Sequence, residues 1–360
     1  MKLTGKNILL ISPEPWEHIN VSKHHYARHL AQRGNQVVFA NPASDHWELK
    51  DTDTEGLQEL NYPKFLKGLR LLPAFISQRL ILKKFNQIQN YCQLNFDIVW
   101  SFDNSVFFDF TCLPSFNINH IVDLNQDFET KKAASTADLC LGCSDLIINR
   151  LTQYQTNCHL IQHGFNDKTL TQEIKLPGQQ ITKALYAGNL DMPYLDWGIF
   201  HQIVTDNPTV DFILLGPWTG KSNAQNNTSS VIETVFAANN VHHLGPIAAD
   251  DLPNYYAAAD LLLILYQEEH HLDQANPHKM MEYLGTGKPI VATYTKMFDG
   301  LDERIIRMSK KNQGYPELFR QTVKQLSELS HAELCAKRSC LAMDNTYPKQ
   351  IERIEKLIPS

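Results

Sequence analysis

No apolar run in this 360-residue chain approaches the length of a membrane span, which needs roughly 18 residues. The opening Met1-Lys2-Leu3-Thr4-Gly5-Lys6 leads straight into a strand-like run and reads as no secretory signal. Cysteines are sparse, seven and therefore odd in number, which argues against a disulfide framework and for reduced thiols in a cytosol. Cys140 and Cys143 form a single C-x-x-C without a second pair, so buried thiols are expected there rather than a zinc site. Positive charge is not in excess: the net charge is −6, which gives no reason to expect nucleic acid. The first βαβ unit lacks a G-x-G-x-x-G loop, so a dinucleotide site has no support.

What is present centres on residues 276–289. Asn276 is a suitable N-cap and Pro277 a suitable first helical residue. Met280, Met281 and Leu284 recur at helical spacing, and Gly285, Gly287 and Pro289 close a helix of about three turns. Lys279 and Glu282 share a face near its start. A helix start with its unpaired N–H groups, here at His278 and Lys279, suits a phosphate, and a lysine beside it strengthens the case. Glu282, one turn deeper, can accept hydrogen bonds from vicinal hydroxyls. The apolar run from Ile290 to Thr293 follows at once, as in a parallel α/β sheet.

The rest of the chain reads as alternating strands and helices. Apolar runs at 7–12, 36–40, 97–100, 118–122 and 139–142 are strands, with helical spacing at Tyr26, Ala27, Leu30 and Ala31 and a Ser144-capped helix through Leu151. A Pro-, Gly- and Gln-containing linker at 175–180 is expected to separate two halves, since 360 residues exceed what one core supports. The second half repeats the alternation: strands at 184–187, 211–215 and 261–265, and a helix at 197–205.

The run Asn276-Pro277-His278-Lys279 through Pro289 resembles the segment N-P-x-K-x-x-E-Y-L-x-x-G-K-P of sugar-nucleotide-dependent glycosyltransferases of the GT-B fold, the group-1 type related to teichuronic-acid and exopolysaccharide enzymes. The resemblance implies an α/β architecture of two Rossmann-like parallel-sheet domains facing a cleft. An acceptor-side domain would occupy 1–170, with a terminal helix at 345–360 packed back on it, and a nucleotide-sugar domain 181–344. It further implies that Glu282 holds the ribose and that the helix start faces the diphosphate. The Gly188-Asn189 turn would approach the phosphates, the segment around Ile247 would pack against the base, and Gly216 would join them. Many relatives carry a donor-sugar Glu eight residues before the ribose Glu; this chain has Gln274 there, which leaves sugar recognition and stereochemistry open. On the same resemblance Asp123, Asp127 and His163 are catalytic candidates beside Lys279, and His18 and Asn20 are acceptor-side candidates. No cofactor or metal is expected, the donor being a UDP- or GDP-linked sugar and the acceptor a saccharide or lipid-linked hydroxyl. An epimerase of the same fold and a non-catalytic scaffold are the rival readings.

Other patterns carry less. Asp51-Thr52-Asp53 sits in polar surroundings and reads as turn chemistry. The run from Gly216 to Ser222 imitates a phosphate loop but is one residue short between its glycines, and 223–230 reads as a polar run rather than a helix. Glu268, Glu269, His270, His271 and His278 have spacing unlike a metal site and read better as a donor-recognition loop. Residues 60–96 contain no acid and six basic residues, Lys64, Lys67, Arg70, Arg79, Lys83 and Lys84, interleaved with leucines and phenylalanines. That stretch reads as a basic amphipathic helix on an anionic membrane, making a cytoplasmic protein peripheral to the membrane's inner face, as a core helix with a solvated basic face, or as a patch that attracts a diphosphate-linked acceptor.

Overall fold

Buried aliphatic side chains make the central strand of the first sheet, β1 (Asn7–Ile11). The computed structural model describes residues 1–18, 20–220, 227–270 and 276–359, the side chains of 227–229 excepted. The chain divides into one unit of Met1–Gly164 with Tyr347–Ser360 and another of Phe165–Thr346.

In the first unit β1 is followed by α1 (Ser22–Gln32), β2 (Gln36–Ala40), β3 (Glu48–Asp51), β4 (Leu57–Asn61) and α2 (Ala74–Cys92). Then come β5 (Ile98–Ser101), β6 (Phe116–Ile121), α3 (Thr130–Thr136), β7 (Leu139–Gly142), α4 (Asp145–Leu151) and β8 (Cys158–Leu160). The sheet order is β3-β4-β2-β1-β5-β6-β7-β8, parallel except for the β3–β4 pair. Ser144 caps α4 by accepting from the Ile147 N–H.

The second unit runs β9 (Thr182–Ala187), α5 (Trp197–Asp206), β10 (Val210–Leu215), α6 (Asn227–Ala237), β11 (Val241–His243), α7 (Leu252–Ala258), β12 (Leu261–Ile264), α8 (Lys279–Gly285), β13 (Ile290–Thr293) and β14 (Arg307–Ser309). It closes with α9 (Tyr315–Lys324), α10 (Leu326–Leu329) and α11 (Ala332–Met343). Its six strands are all parallel, in the order β11-β10-β9-β12-β13-β14. This is the doubly wound order, which reverses between β9 and β12; ligands in such sheets bind outside the carboxyl ends of the strands at that reversal. The last helix, α12 (Tyr347–Leu357), returns to the first unit, where Tyr347, Ile351 and Ile354 join the core around Tyr26 and Trp100.

Four expectations need correction. The 175–180 stretch is no linker: Leu176 is buried, and the Gln180 N–H donates to Asp211 within the second unit. Of the 223–230 run, 223–226 lie outside the described residues and 227–230 open a helix over 227–237, where Ile232 and Val235 give a buried stripe that the polar first turn conceals in sequence. Helix α8 has about two turns and begins at Lys279; Pro277 accepts from the Met280 N–H, a tight 3₁₀-type turn that delays the α-helix. The 60–96 stretch is not one amphipathic helix. It is the end of β4, a loop with a short 3₁₀ turn at Leu69–Leu71, and α2, whose Ile81, Phe85, Ile88 and Cys92 face the core.

Candidate active site

In the second unit, α8 holds the carboxyl end of β9 with two side chains one turn apart. The Lys279 ammonium donates to the Ala187 carbonyl at 2.6 Å, and the Tyr283 hydroxyl accepts from the Ala187 N–H at 3.1 Å. The ammonium also lies 4.3 Å from the Tyr186 ring centroid and 5.7 Å from that of Tyr266, a cation–π setting. Burial lowers the Lys279 pKa to about 8, opposed by the nearby Glu282 carboxylate. An ammonium so placed is still mostly charged at neutral pH.

Gly188 follows β9 directly, and a Cβ there would lie 2.7 Å from the Lys279 ammonium. The turn after β10 comes equally close. A Cβ on Gly216 would overlap the Gly188 carbonyl oxygen, so only glycine fits this approach. The Gly188 N–H donates to Leu215, the Gly216 N–H donates to Gly245, and His243 Nε2 lies 2.8 Å from the Gly216 carbonyl. Asn189 folds its own turn by accepting from the Asp191 N–H at 2.9 Å. Gly188, Gly216 and Lys279 therefore converge at the β9 side of the strand reversal.

Glu282 lies on the same short helix. The Tyr256 hydroxyl donates to its Oε2 at 3.3 Å, and His278 Nδ1 is 3.8 Å from its Oε1. Burial, with the Glu282 charge next in weight, pushes the Tyr256 pKa up, so the phenol remains a donor. Asn276 and Pro277 precede the helix, and Ile247 is half-buried against the core that contains Met280 and Leu284. Gln274 and His271 lie outside the described residues.

The candidates of the first unit lie on connections at the carboxyl ends of its strands. His18 and the half-buried Asn20 lie between β1 and α1, and the His18 N–H closes a turn on Pro15. Asp123 and Asp127 follow β6 and serve the loop itself. Asp123 accepts from the Asn125 N–H at 2.9 Å; Asp127 accepts from Thr130 Oγ1 at 2.6 Å and lies 3.6 Å from Arg150. His163 is buried after β8, its Nδ1 3.1 Å from Ser22 Oγ at the start of α1.

Sequence reasoning missed Lys23, which is buried and ion-paired with Glu14, and the tyrosines around Lys279. A charged residue in the first turn of α1 carries no sequence sign of burial. The tyrosines did leave one, since Tyr186 and Tyr266 each stand at the carboxyl end of an apolar run. The decoys have ordinary partners: Asp53 pairs with Arg28, and Glu268 accepts from the Asn312 N–H and pairs with Lys311. Among the described residues no three His, Cys, Asp or Glu side chains converge as a metal site, and no helix is long and apolar enough to cross a membrane.

No protein-family model matches the chain. A sequence match joins it to TuaH of Bacillus subtilis, a candidate teichuronic acid biosynthesis glycosyltransferase, at 23% identity over 150 residues. That match spans 40% of this chain and 36% of the relative's length. Among solved structures, sucrose-phosphate synthase of Thermosynechococcus elongatus superposes with a TM-score of 0.71 at 12% identity, covering 98% of both chains. Anabaena HepE, solved in complex with UDP-glucose, gives 0.67 at 14% identity, again over 98% of both. A glycosyltransferase of Rickettsia africae gives 0.67 at 11% identity, over 98% of this chain and 97% of the other. The fold is that of GT-B glycosyltransferases.

Proposed function

We propose that this GT-B chain is a glycosyltransferase that moves a sugar from a nucleoside-diphosphate donor to a hydroxyl acceptor without a metal ion. The observation that carries the reading is the seat at the end of β9, where the half-buried Lys279 holds its ammonium against the Gly188 turn, which Gly216 approaches too closely for any other residue. One N–H of Lys279 is held by Ala187; the others would meet the departing diphosphate. Fixed positive charge aimed at a developing anion is the largest single means of lowering such a barrier. Glu282, steadied by Tyr256, would accept the ribose hydroxyls. A UDP-linked donor is favoured over a GDP-linked one because HepE was solved with UDP-glucose. The match to TuaH supports a bacterial cell-surface polysaccharide or glycolipid as the product, made on the cytoplasmic side of the membrane. Retention of anomeric configuration is proposed on the resemblance of the Lys279–Glu282 segment.

Calorimetric titration with UDP and GDP, followed by incubation of UDP- and GDP-sugars with and without saccharide acceptors, tests the reading. Donor consumption that requires an acceptor is expected. Donor epimerised without acceptor would assign the epimerase reading instead, and nucleotide binding without turnover across acceptors would assign the scaffold.

A further inference from the structure

The loop between β4 and α2 combines a buried anchor with an uncovered apolar tip. Leu69 is buried, and the half-buried Phe65 packs edge-on against Phe107 with ring centroids 5.2 Å apart. These two fix the loop from beneath. Above them Leu71 is 89% exposed, Leu66 62% and Phe75 61%. No other three large apolar side chains among the described residues are so exposed within ten positions of one another.

The charge around the tip has one sign. Lys67, Arg70, Arg79 and Lys83 are exposed, and among the described residues no carboxylate pairs with them. Lys64 is neutralised by Asp45 at 3.0 Å, and Lys84 is committed to the Pro63 carbonyl beneath the loop. The nearby Asp109 is buried and engaged by Gln78 and Lys132. Four exposed basic residues with no paired carboxylate among the described residues thus share the span 66–83 with three exposed apolar side chains, on a chain whose net charge is −6.

We infer that this tip docks the protein on an anionic lipid bilayer, with Leu66, Leu71 and Phe75 inserted at the headgroup level and Lys67, Arg70, Arg79 and Lys83 against the phosphates. Side chains of both kinds are needed, since apolar area and attraction to anionic lipid add in interfacial binding. The core-facing side of α2 takes no part, because Ile81, Phe85 and Ile88 are already covered. The inference stands on the tip alone and is independent of the nucleotide site.

Co-sedimentation of the full chain with vesicles of phosphatidylglycerol or of phosphatidylcholine, at low and high salt, tests it. Binding is expected to phosphatidylglycerol only, and to fall as salt screens the surface charge. Lys67→Glu with Arg70→Glu should weaken it at least about 25-fold, at roughly fivefold for each basic residue lost. Leu66→Ser with Leu71→Ser and Phe75→Ser should also weaken it while the salt dependence remains. Thermal melts of both variants matching wild type would show the fold intact, as expected for exposed positions. Equal binding to the two lipids, or binding to neither, would overturn the inference. So would a lipid-free dimer in sedimentation velocity that Leu71→Ser dissolves, which would give the tip to a second copy.

Discussion

Lys279 and Ala187 are joined by a 2.6 Å hydrogen bond from an ammonium to a main-chain carbonyl, across 92 residues of sequence. The Tyr283 hydroxyl takes the N–H of the same residue, so α8 holds both polar groups of the last residue in β9. The two bonds fix the lysine where Gly188 begins its turn, and they make its charge state a property of the folded protein.

The first prediction concerns that charge. Lys279 has a pKa of about 8 in the fold against an ordinary value of 10.5. UDP affinity should be level from pH 7 to 7.5 and fall above pH 8, by up to about tenfold per pH unit as the proton is lost. Lys279→Arg should remove the pH dependence, because a guanidinium stays charged. Stability carries the opposite sign. The unfolded chain binds more protons between pH 8 and 10.5, so the cost of the buried charge is fully present below pH 8 and relieved through that window. Urea melts of wild type and Lys279→Met at pH 7 and 9.5 measure it, with a larger gain on raising pH expected for wild type.

Glu282→Gln should weaken UDP binding by about 1.5–3 kcal/mol, the usual worth of hydrogen bonds to a charged group, and leave the melting temperature unchanged. Unaltered affinity by calorimetry would remove Glu282 from the site.

Gly216→Ala should destabilise the fold by about 2 kcal/mol or more, in the range of overpacking strain, and abolish UDP binding. The overlap is with main chain, the Gly188 carbonyl, which cannot rotate away. Gly245→Ala is the control. That glycine also has positive φ, but a Cβ would meet nothing within 4 Å. It should cost only the roughly 1 kcal/mol of a left-handed residue.

Donor turnover should persist in EDTA, since Lys279 and the glycine turns would carry the phosphate charge. Activity that returns only with added Mn²⁺ or Mg²⁺ would move the phosphate charge onto a metal and away from this lysine.

The sequence was most readable where one feature was local. The β12–α8–β13 segment could be read because buried strands show as apolar runs and because Gly285, Gly287 and Pro289 punctuate the helix between them. Burial set by distant segments was hidden. Ser22, Lys23, His24 and His25 look solvent-facing, yet all are buried, because Glu14, the Pro15 carbonyl, His163 and Tyr347 supply their partners. The basic stretch shows the same limit. Leu69 and Leu71 are alike in sequence and two residues apart, and only the fold determines that one is covered and the other bare. The partners of Asp123 and Asp127 were likewise hidden: Asp123 accepts from the Asn125 N–H, and Asp127 accepts from Thr130 at the start of α3.

Helix α12 has a bearing on how the protein is made. Its buried face, Tyr347, Gln350, Ile351 and Ile354, completes a core whose other members lie before residue 165, and Glu355 accepts from the Leu3 N–H and pairs with Arg33. On the ribosome, where domains generally fold in the order they emerge, the first unit cannot finish in its turn. Its eight strands wait with an open apolar groove while all of 165–346 is synthesised, and the second unit can complete itself first. At about 5–20 residues per second, that wait lasts on the order of ten seconds or more, a period in which the unfinished groove would be the nascent chain's site for chaperones.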